Sequence, residues 1–85
     1  MKEFEHTVQN ELGMHARPAG LLVKKAGEFS SSVTVDNGEK KVDAKKIMSL
    51  MMLGAKKGHT LKFSVEGSDE EEAAKALQTF VKDNL

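Results

Sequence analysis

One segment predicts a β-hairpin and, with it, the class of the fold: Val33-Thr34-Val35-Asp36-Asn37-Gly38-Glu39-Lys40-Lys41-Val42. Val33 and Val35 alternate with a polar residue, which is the period of a strand with one buried face. Asp36, Asn37 and Gly38 are residue types that adopt the positive φ angles of a tight turn. The segment therefore predicts two antiparallel strands joined by a short turn.

Further elements follow on both sides of the hairpin. Alternation of apolar and polar residues predicts strands at residues 4–8 and 61–65. Apolar residues at three- and four-residue spacing predict a first helix that starts at Ala16 and has Gly27 as its C′ residue. A shorter second helix is predicted over residues 46–53, before two glycines that interrupt regular structure.

The last helix has the clearest sequence signals. Ser68-x-x-Glu71 is the pattern of a capping box, and Ala73, Leu77 and Val81 form an apolar stripe. The predicted order is therefore βαββαβα. We expect one domain, residues 1–85, of the α/β (α+β) class: a two-layer open-faced sandwich with a four-stranded antiparallel sheet and three helices on one face.

Composition excludes several functional classes. The chain has 13 basic and 13 acidic residues, so no net charge draws it toward nucleic acid or an anionic membrane. Cysteine is absent, which excludes disulfides and thiolate chemistry. No apolar run approaches the roughly 18–20 residues that span a bilayer. We expect a cytoplasmic protein that is not inserted in a membrane.

The segment that carries candidate chemistry is Gly13-Met14-His15-Ala16-Arg17-Pro18-Ala19. His15 stands where the first helix begins, and unpaired backbone N–H groups and the helix dipole there favour an anion and a neutral, nucleophilic imidazole. Arg17 offers a planar set of donors for phosphate oxygens. Pro18 suits the first helical turn, and Gly13 allows the chain to turn tightly so that the imidazole of His15 can project. On pattern alone, a histidine that merely caps the helix or lies on the surface remains an alternative.

The run His15-Ala16-Arg17-Pro18-Ala19 resembles the phosphorylation-site motif of the HPr family, the phosphocarriers of the bacterial phosphoenolpyruvate-dependent sugar phosphotransferase system. The resemblance extends over the whole chain. It includes the βαββαβα order and the following local runs: Gly13 before the motif, Ile47-Met48, Leu53-Gly54 and Glu66-Gly67-x-Asp69-Glu70.

The resemblance implies the chemistry of the site. His15 would accept a phosphoryl group on Nδ1 from phosphorylated enzyme I and pass it to an enzyme IIA domain, with Arg17 beside the phosphoryl group. Ala16, Pro18 and Gly13 would support this site. The protein would be an intermediate in phosphoryl transfer rather than a free-standing enzyme, with no metal or cofactor, and we expect a monomer.

The second helix has more large apolar residues than one buried stripe can hold. Ile47, Leu50 and Met51 form one set at helical spacing, and Met48 and Met52 form another. A helix on one side of a sheet buries one face, so part of this apolar surface should be exposed, and flexible methionines suit a surface with several partners. The pattern alone also allows the methionines to fill the core.

The resemblance to the HPr family separates the core residue of this helix from its contact residues. It implies that Leu50 belongs to the core. It also implies contacts for protein partners, and neighbouring positions should complete their surface. Together these residues are Gly20, Lys24, Lys45, Ile47, Met48 and Met51. The chain departs from the family at Lys46, where low-GC Gram-positive relatives have a regulatory serine, and at Leu12, where many relatives have a small polar residue.

Two alternatives lie within the same family. Leu12-Gly13-Met14-His15 is also similar to the nitrogen-branch carrier NPr, which has the same histidine chemistry and different partners. The sequence does not separate the two branches. Crh-like regulators, which lack the site histidine, fit less well because His15 is present.

Alternatives from other classes fit poorly. A nucleic-acid-binding sheet needs exposed aromatic residues, but the chain has no Tyr or Trp, and Phe4 and Phe63 occupy predicted core positions. A metal site built from His6, His15 and His59 matches no known ligand spacing. We therefore expect protein partners and no nucleic acid.

Overall fold

The elements of the fold follow the predicted βαββαβα order. A computed structural model describes residues 1–11 and 16–85. Its elements, in chain order, are β1 (Lys2–Thr7), α1 (Ala16–Ala26), β2 (Ser32–Asp36), β3 (Lys41–Asp43), α2 (Ile47–Met52), β4 (Thr60–Glu66) and α3 (Glu70–Asn84). The predicted strands and helices are therefore confirmed, with small shifts at their ends.

The four strands form one antiparallel sheet in the order β1-β4-β2-β3. Phe63 on β4 pairs with Phe4 on one side and with Val35 on the other, and Val35 pairs with Val42. The rings of Phe4 and Phe63 stack with centroids 4.8 Å apart. This apolar row lies on the side of the sheet that the helices cover, and the other side is polar, so the predicted open-faced sandwich is confirmed.

Each helix contributes a fully buried leucine to the core: Leu22 from α1, Leu50 from α2 and Leu77 from α3. Burying a leucine side chain stabilises a fold by about 1.5–3 kcal/mol. Leu50 is the buried residue of α2, which spans only six residues. The orientation of α2 therefore depends on this side chain, and its other faces are turned toward solvent.

The predicted hairpin is present, but its turn is longer than a tight two-residue loop. Gly38 has a φ of 96°, whereas Asn37 does not have a positive φ. The Asn37 backbone N–H donates to the Lys40 carbonyl at 3.0 Å. Its side-chain Oδ1 accepts from the N–H groups of Glu39 and Lys40 at 2.9 and 2.7 Å. Asn37 therefore organises the loop through its side chain.

The predicted C′ role of Gly27 is wrong, because Gly27 is not among the glycines with positive φ. Its N–H donates to the Val23 carbonyl at 2.9 Å. The next two N–H groups, of Glu28 and Phe29, donate to carbonyls three residues earlier in the chain. A Cβ atom on Gly27 would lie 3.2 Å from the Val23 oxygen. Glycine at this position therefore permits a close backbone approach rather than a left-handed conformation.

The predicted capping box of α3 is also wrong. The N-cap residue is Asp69, not Ser68, and its side chain does not cap the helix. The Asp69 carboxylate instead accepts the N–H groups of Ser30 and Ser31, each at 2.9 Å, and the Ser31 hydroxyl. The Asp69 side chain therefore binds residues 30–31, which pack against the start of α3, instead of the N–H groups of its own helix.

Candidate functional site

The predicted phosphoryl acceptor His15, with Gly13, lies outside the described residues, which resume at Ala16. Ala16 is the first residue of α1, and His15 immediately precedes it in the sequence. Arg17 and Pro18 therefore lie in the first turn, as predicted. Pro18 and Ala19 are buried, whereas Ala16 and Arg17 are exposed.

The start of α1 favours a bound anion. Its first turn has no acidic residue and contains Arg17, and Lys24 and Lys25 lie in its last turn. The positive end of the helix dipole is therefore not offset by a carboxylate in the first turn of the helix. Arg17 forms no ion pair with the other described residues, so its guanidinium group is available to an anion.

The segment that leads toward residue 12 is held by backbone hydrogen bonds. Val8 donates to the His59 carbonyl at 2.8 Å, and its own carbonyl accepts from Gly58 at 2.9 Å. The N–H groups of Gln9 and Asn10 both donate to the carbonyl of Leu85, at 2.9 Å for Asn10. The chain before the candidate site is thus attached to the turn at residues 58–59 and to the end of α3.

Four apolar side chains of α2, which we call the α2 patch, are turned toward solvent. Their exposed fractions are 39% for Ile47, 68% for Met48, 41% for Met51 and 67% for Met52, whereas Leu50 is fully buried. The prediction that Leu50 enters the core is confirmed, and so is the exposure predicted for part of this helix. Contiguous apolar residues on a surface are typical of a protein interaction site.

The α2 patch is continuous with α1 at Gly20. A Cβ atom on Gly20 would lie 3.6 Å from Cδ1 of Ile47, so the two helices approach each other at this point. Ala16, Gly20 and Lys24 are spaced by four residues and share one face of α1. This face, which begins next to His15 in the sequence, therefore leads to Ile47.

Two exposed apolar residues of α1 and α2 were not predicted as contacts. These are Met52, which is part of the α2 patch, and Leu21 on α1, which has 40% of its surface exposed. Leu21 follows Arg17 by four residues, so the two lie on neighbouring turns of one helix face. That spacing is visible in the sequence and was the available signal for Leu21.

The candidate cations near the α2 patch differ in their surroundings. Lys24 and Lys46 are exposed, whereas the Lys45 ammonium group donates to the Phe29 carbonyl at 2.8 Å and its side chain is half-buried. Lys46 has an extended backbone and is the N-cap residue of α2 without a side-chain cap, rather than a residue of its first turn as predicted. Lys45 thus connects the loop after α1 to the start of α2.

Histidine and carboxylate side chains do not gather into a metal site in residues 1–11 and 16–85: these ranges contain no group of three or more suitable ligands. The predicted alternative with His6 and His59 therefore gains no support from the described part of the chain. His59 accepts the Lys56 N–H on its Nδ1 at 3.3 Å. In the same ranges, no helix is long and apolar enough to cross a membrane.

Comparison with known proteins assigns the chain to a family. Residues 2–83 match the family model described as PTS HPr component phosphorylation site. A crystal structure of HPr-C-His from Thermoanaerobacter tengcongensis is 48% identical, with a TM-score of 0.93, and the match covers 99% of this chain and 94% of that chain. The HPr-like protein Crh of Halalkalibacterium halodurans is 42% identical over 82 residues, which are 96% of this chain and 98% of that protein.

Some relatives are much longer. The multiphosphoryl transfer protein of Escherichia coli O157:H7 is 42% identical over 76 residues, which are 86% of this chain and 20% of that protein. The match to the family model nevertheless covers almost the whole of the present chain, and the solved relative shares its fold from end to end. On these grounds, the chain belongs to the HPr family of the phosphotransferase system.

Proposed function

We propose that this protein is a phosphocarrier that accepts a phosphoryl group on His15 from phosphorylated enzyme I and transfers it to an enzyme IIA domain in sugar uptake. The observation that carries the proposal is the start of α1 at Ala16, directly after His15 in the sequence, with Arg17 exposed in the first turn. Membership of the HPr family supports phosphoryl transfer as the reaction.

The reaction moves one phosphoryl group between two imidazoles. A ring nitrogen of His15, Nδ1 by resemblance to the family, attacks phosphorus in line, and the phosphorus–nitrogen bond of the donor histidine breaks as the new bond forms. Such transfers depend mainly on positioning and on neutralising charge on the phosphoryl oxygens. Arg17 supplies guanidinium donors for these oxygens, and the start of α1 supplies N–H groups and the helix dipole.

The α2 patch is the proposed docking surface for both partners. Its two most exposed side chains are methionines, which adapt to differently shaped surfaces because they are unbranched and flexible. Gly20 and Lys24 extend this surface along α1, and Lys24 supplies an exposed positive charge for an acidic partner. Lys45 contributes by holding the start of α2 through Phe29, with its charge at the margin of the surface.

A second candidate is the nitrogen branch, in which the same histidine serves regulatory partners. The similarity of Leu12-Gly13-Met14-His15 to the nitrogen-branch carrier favours it. Both candidates share the acceptor residue and the docking surface, so they differ in the enzyme I that donates the phosphoryl group and in the protein that receives it. In either case we propose a cytoplasmic monomer that acts with protein partners and needs no cofactor of its own.

Parallel phosphorylation separates the two branches. The protein is incubated with phosphoenolpyruvate and purified enzyme I of the sugar branch or of the nitrogen branch, and the rate of phosphoryl gain is followed by intact mass. We expect faster transfer from the sugar-branch enzyme. Faster transfer from the nitrogen-branch enzyme would favour the second candidate, and no transfer from either would contradict both.

A further inference from the structure

Two exposed methionines lie one helical turn apart on α2. Met48 and Met52 have 68% and 67% of their surfaces exposed, against 41% for Met51. They are four residues apart, so they occupy neighbouring turns on one face of the helix. Exposure to water also means exposure to dissolved oxidants, which makes these two side chains the most accessible thioethers of the α2 patch.

We propose that Met48 and Met52 form a reversible oxidation site that controls docking on the α2 patch. The docking effect rests on the proposed phosphocarrier function, whereas the oxidation itself does not. The oxidant is hydrogen peroxide. The modified form carries methionine sulfoxide at one or both positions and keeps the fold of the unmodified protein.

The oxidation step is a two-electron transfer of one oxygen atom. The sulfur lone pair attacks one peroxide oxygen, a sulfur–oxygen bond forms, and the oxygen–oxygen bond breaks. The proton on the attacked oxygen passes to the departing hydroxide. The thioether is oxidised to a sulfoxide, and the peroxide is reduced to water. Methionine sulfoxide reductases reverse the change with thiols as the reductant, releasing water and forming a disulfide in the reductase system.

The effect on docking follows from the polarity of the sulfoxide. A protein partner that covers the α2 patch must remove water from Met48 and Met52, and a polar sulfoxide loses its hydrogen bonds to water in that step. The apolar contact is thereby weakened at its most exposed point. We expect the KM for phosphorylated enzyme I to rise about tenfold, as for the loss of a central interface contact.

The fold should tolerate the modification because neither sulfur holds α2 in place. Leu50 is the side chain that α2 buries, and its exposed fraction is 0%. Oxygen added at Met48 or Met52 extends into solvent and displaces no core atom. Oxidation of Met48 and Met52 should therefore weaken docking without lowering the stability of the fold.

The test treats the protein with increasing hydrogen peroxide and maps the products. Tandem mass spectrometry of the tryptic peptide 47–56 distinguishes the three methionines of α2. We expect Met48 and Met52 to be oxidised before Met51, with an unchanged melting temperature. Because Met14 adjoins His15 in the sequence and lies outside the described residues, every protein in the series carries Met14→Leu.

Two variants provide matched comparisons, each judged against its own unoxidised form. The double variant Met48→Leu with Met52→Leu keeps an apolar surface without the two sulfurs, and its KM should not respond to peroxide. Met51→Leu removes one sulfur from the same helix and should keep the full response. Treatment of the oxidised parent with methionine sulfoxide reductases should restore its initial KM.

Several results would overturn the inference. These are oxidation of Met51 as fast as Met48 and Met52, an unchanged KM in the oxidised parent, a peroxide response retained by the double leucine variant, or unfolding on oxidation. A parent protein that takes no phosphoryl group before peroxide is added contradicts the proposed function and the docking effect together. The order of oxidation and the melting temperature are measured without enzyme I, so the two failures are distinguishable.

Discussion

Gly20 on α1 faces Ile47 on α2 so closely that a Cβ atom at position 20 would lie 3.6 Å from Cδ1 of Ile47. This is an ordinary van der Waals distance, so one added methyl group fits, whereas a longer side chain would displace Ile47. The contact joins the helix that follows His15 to the helix that carries the α2 patch. The spacing of these two helices therefore sets the shape of the proposed docking surface.

Substitutions at Gly20 should separate stability from docking. We expect Gly20→Ala to raise the free energy of unfolding by up to about 1 kcal/mol, because alanine favours a helix interior over glycine and its methyl group fits beside Ile47. Gly20→Phe should raise the KM for enzyme I severalfold by displacing Ile47. Urea unfolding and steady-state phosphorylation measure the two effects. A folded Gly20→Phe variant with a normal KM would show that neither position 20 nor the placement of Ile47 contributes to docking.

A charge on the α2 patch should impair transfer without unfolding the protein. Met48→Asp places a carboxylate on a side chain that is 68% exposed, so we expect a higher KM for enzyme I and little change in melting temperature. Leu50→Ala is the matched control, because truncating this buried side chain should cost about 2–5 kcal/mol of stability. If Met48→Asp unfolds as readily as the control, the outward position of Met48 is wrong.

Acid should weaken the fold through Asp69. The Ser31 hydroxyl and the Ser30 N–H donate to its carboxylate and hold the pKa of Asp69 below its ordinary value of 3.8. A lowered folded-state pKa means that the stabilisation is present above pH 3.8 and is lost as the pH falls through the folded-state pKa. Urea unfolding between neutral pH and acid measures this loss.

The control for this prediction is Asp69→Asn, which keeps the size of the side chain and removes the titrating group. Its stability should be lower than that of the parent near neutral pH and should fall less steeply in the acid range. Parallel curves for the two proteins over the whole range would mean that the contacts of Asp69 with Ser30 and Ser31 do not depend on its charge.

The start of α2 offers a stabilising substitution. Lys46 is an N-cap residue in an extended conformation, with φ of −122° and ψ of 112°, and its side chain makes no cap hydrogen bond. Serine there can accept an N–H of the first turn, so Lys46→Ser should stabilise the protein by about 0.5–1 kcal/mol relative to Lys46→Ala. Thermal unfolding of the two variants compares them directly. Equal stabilities would indicate that this N–H is already satisfied.

Local pattern was enough to predict the order of the elements. The buried face of a strand or helix is visible in the spacing of its apolar residues. Examples are the alternation at Val33 and Val35 in β2 and the stripe through Leu77 on α3. The cap of α3 was mispredicted because the contacts of its N-cap residue are with a distant segment. Asp69 bonds to Ser31, 38 residues earlier, and no local pattern contains that contact.

The candidate site was predictable to a similar extent. The positions of Arg17 and Pro18 follow from the start of a helix, and the burial of Leu50 follows from the spacing of α2. The bond from Lys45 to the Phe29 carbonyl was not predictable, since it spans 16 residues and depends on how two loops pack. Motif and periodicity thus predict where helices begin and which side chains are buried. The hydrogen-bond partner of each polar group can be identified only from the three-dimensional fold.

The central claim is that His15 carries the phosphoryl group, and mapping the modified residue tests it most directly. The protein and a His15→Ala variant are treated with enzyme I and phosphoenolpyruvate, and the label is located by mass spectrometry and by its stability in acid. We predict one acid-labile phosphoryl group on His15 of the parent and none on the variant, with both proteins folded. Label that persists in His15→Ala, or acid-stable label on another residue of the parent, would contradict the account.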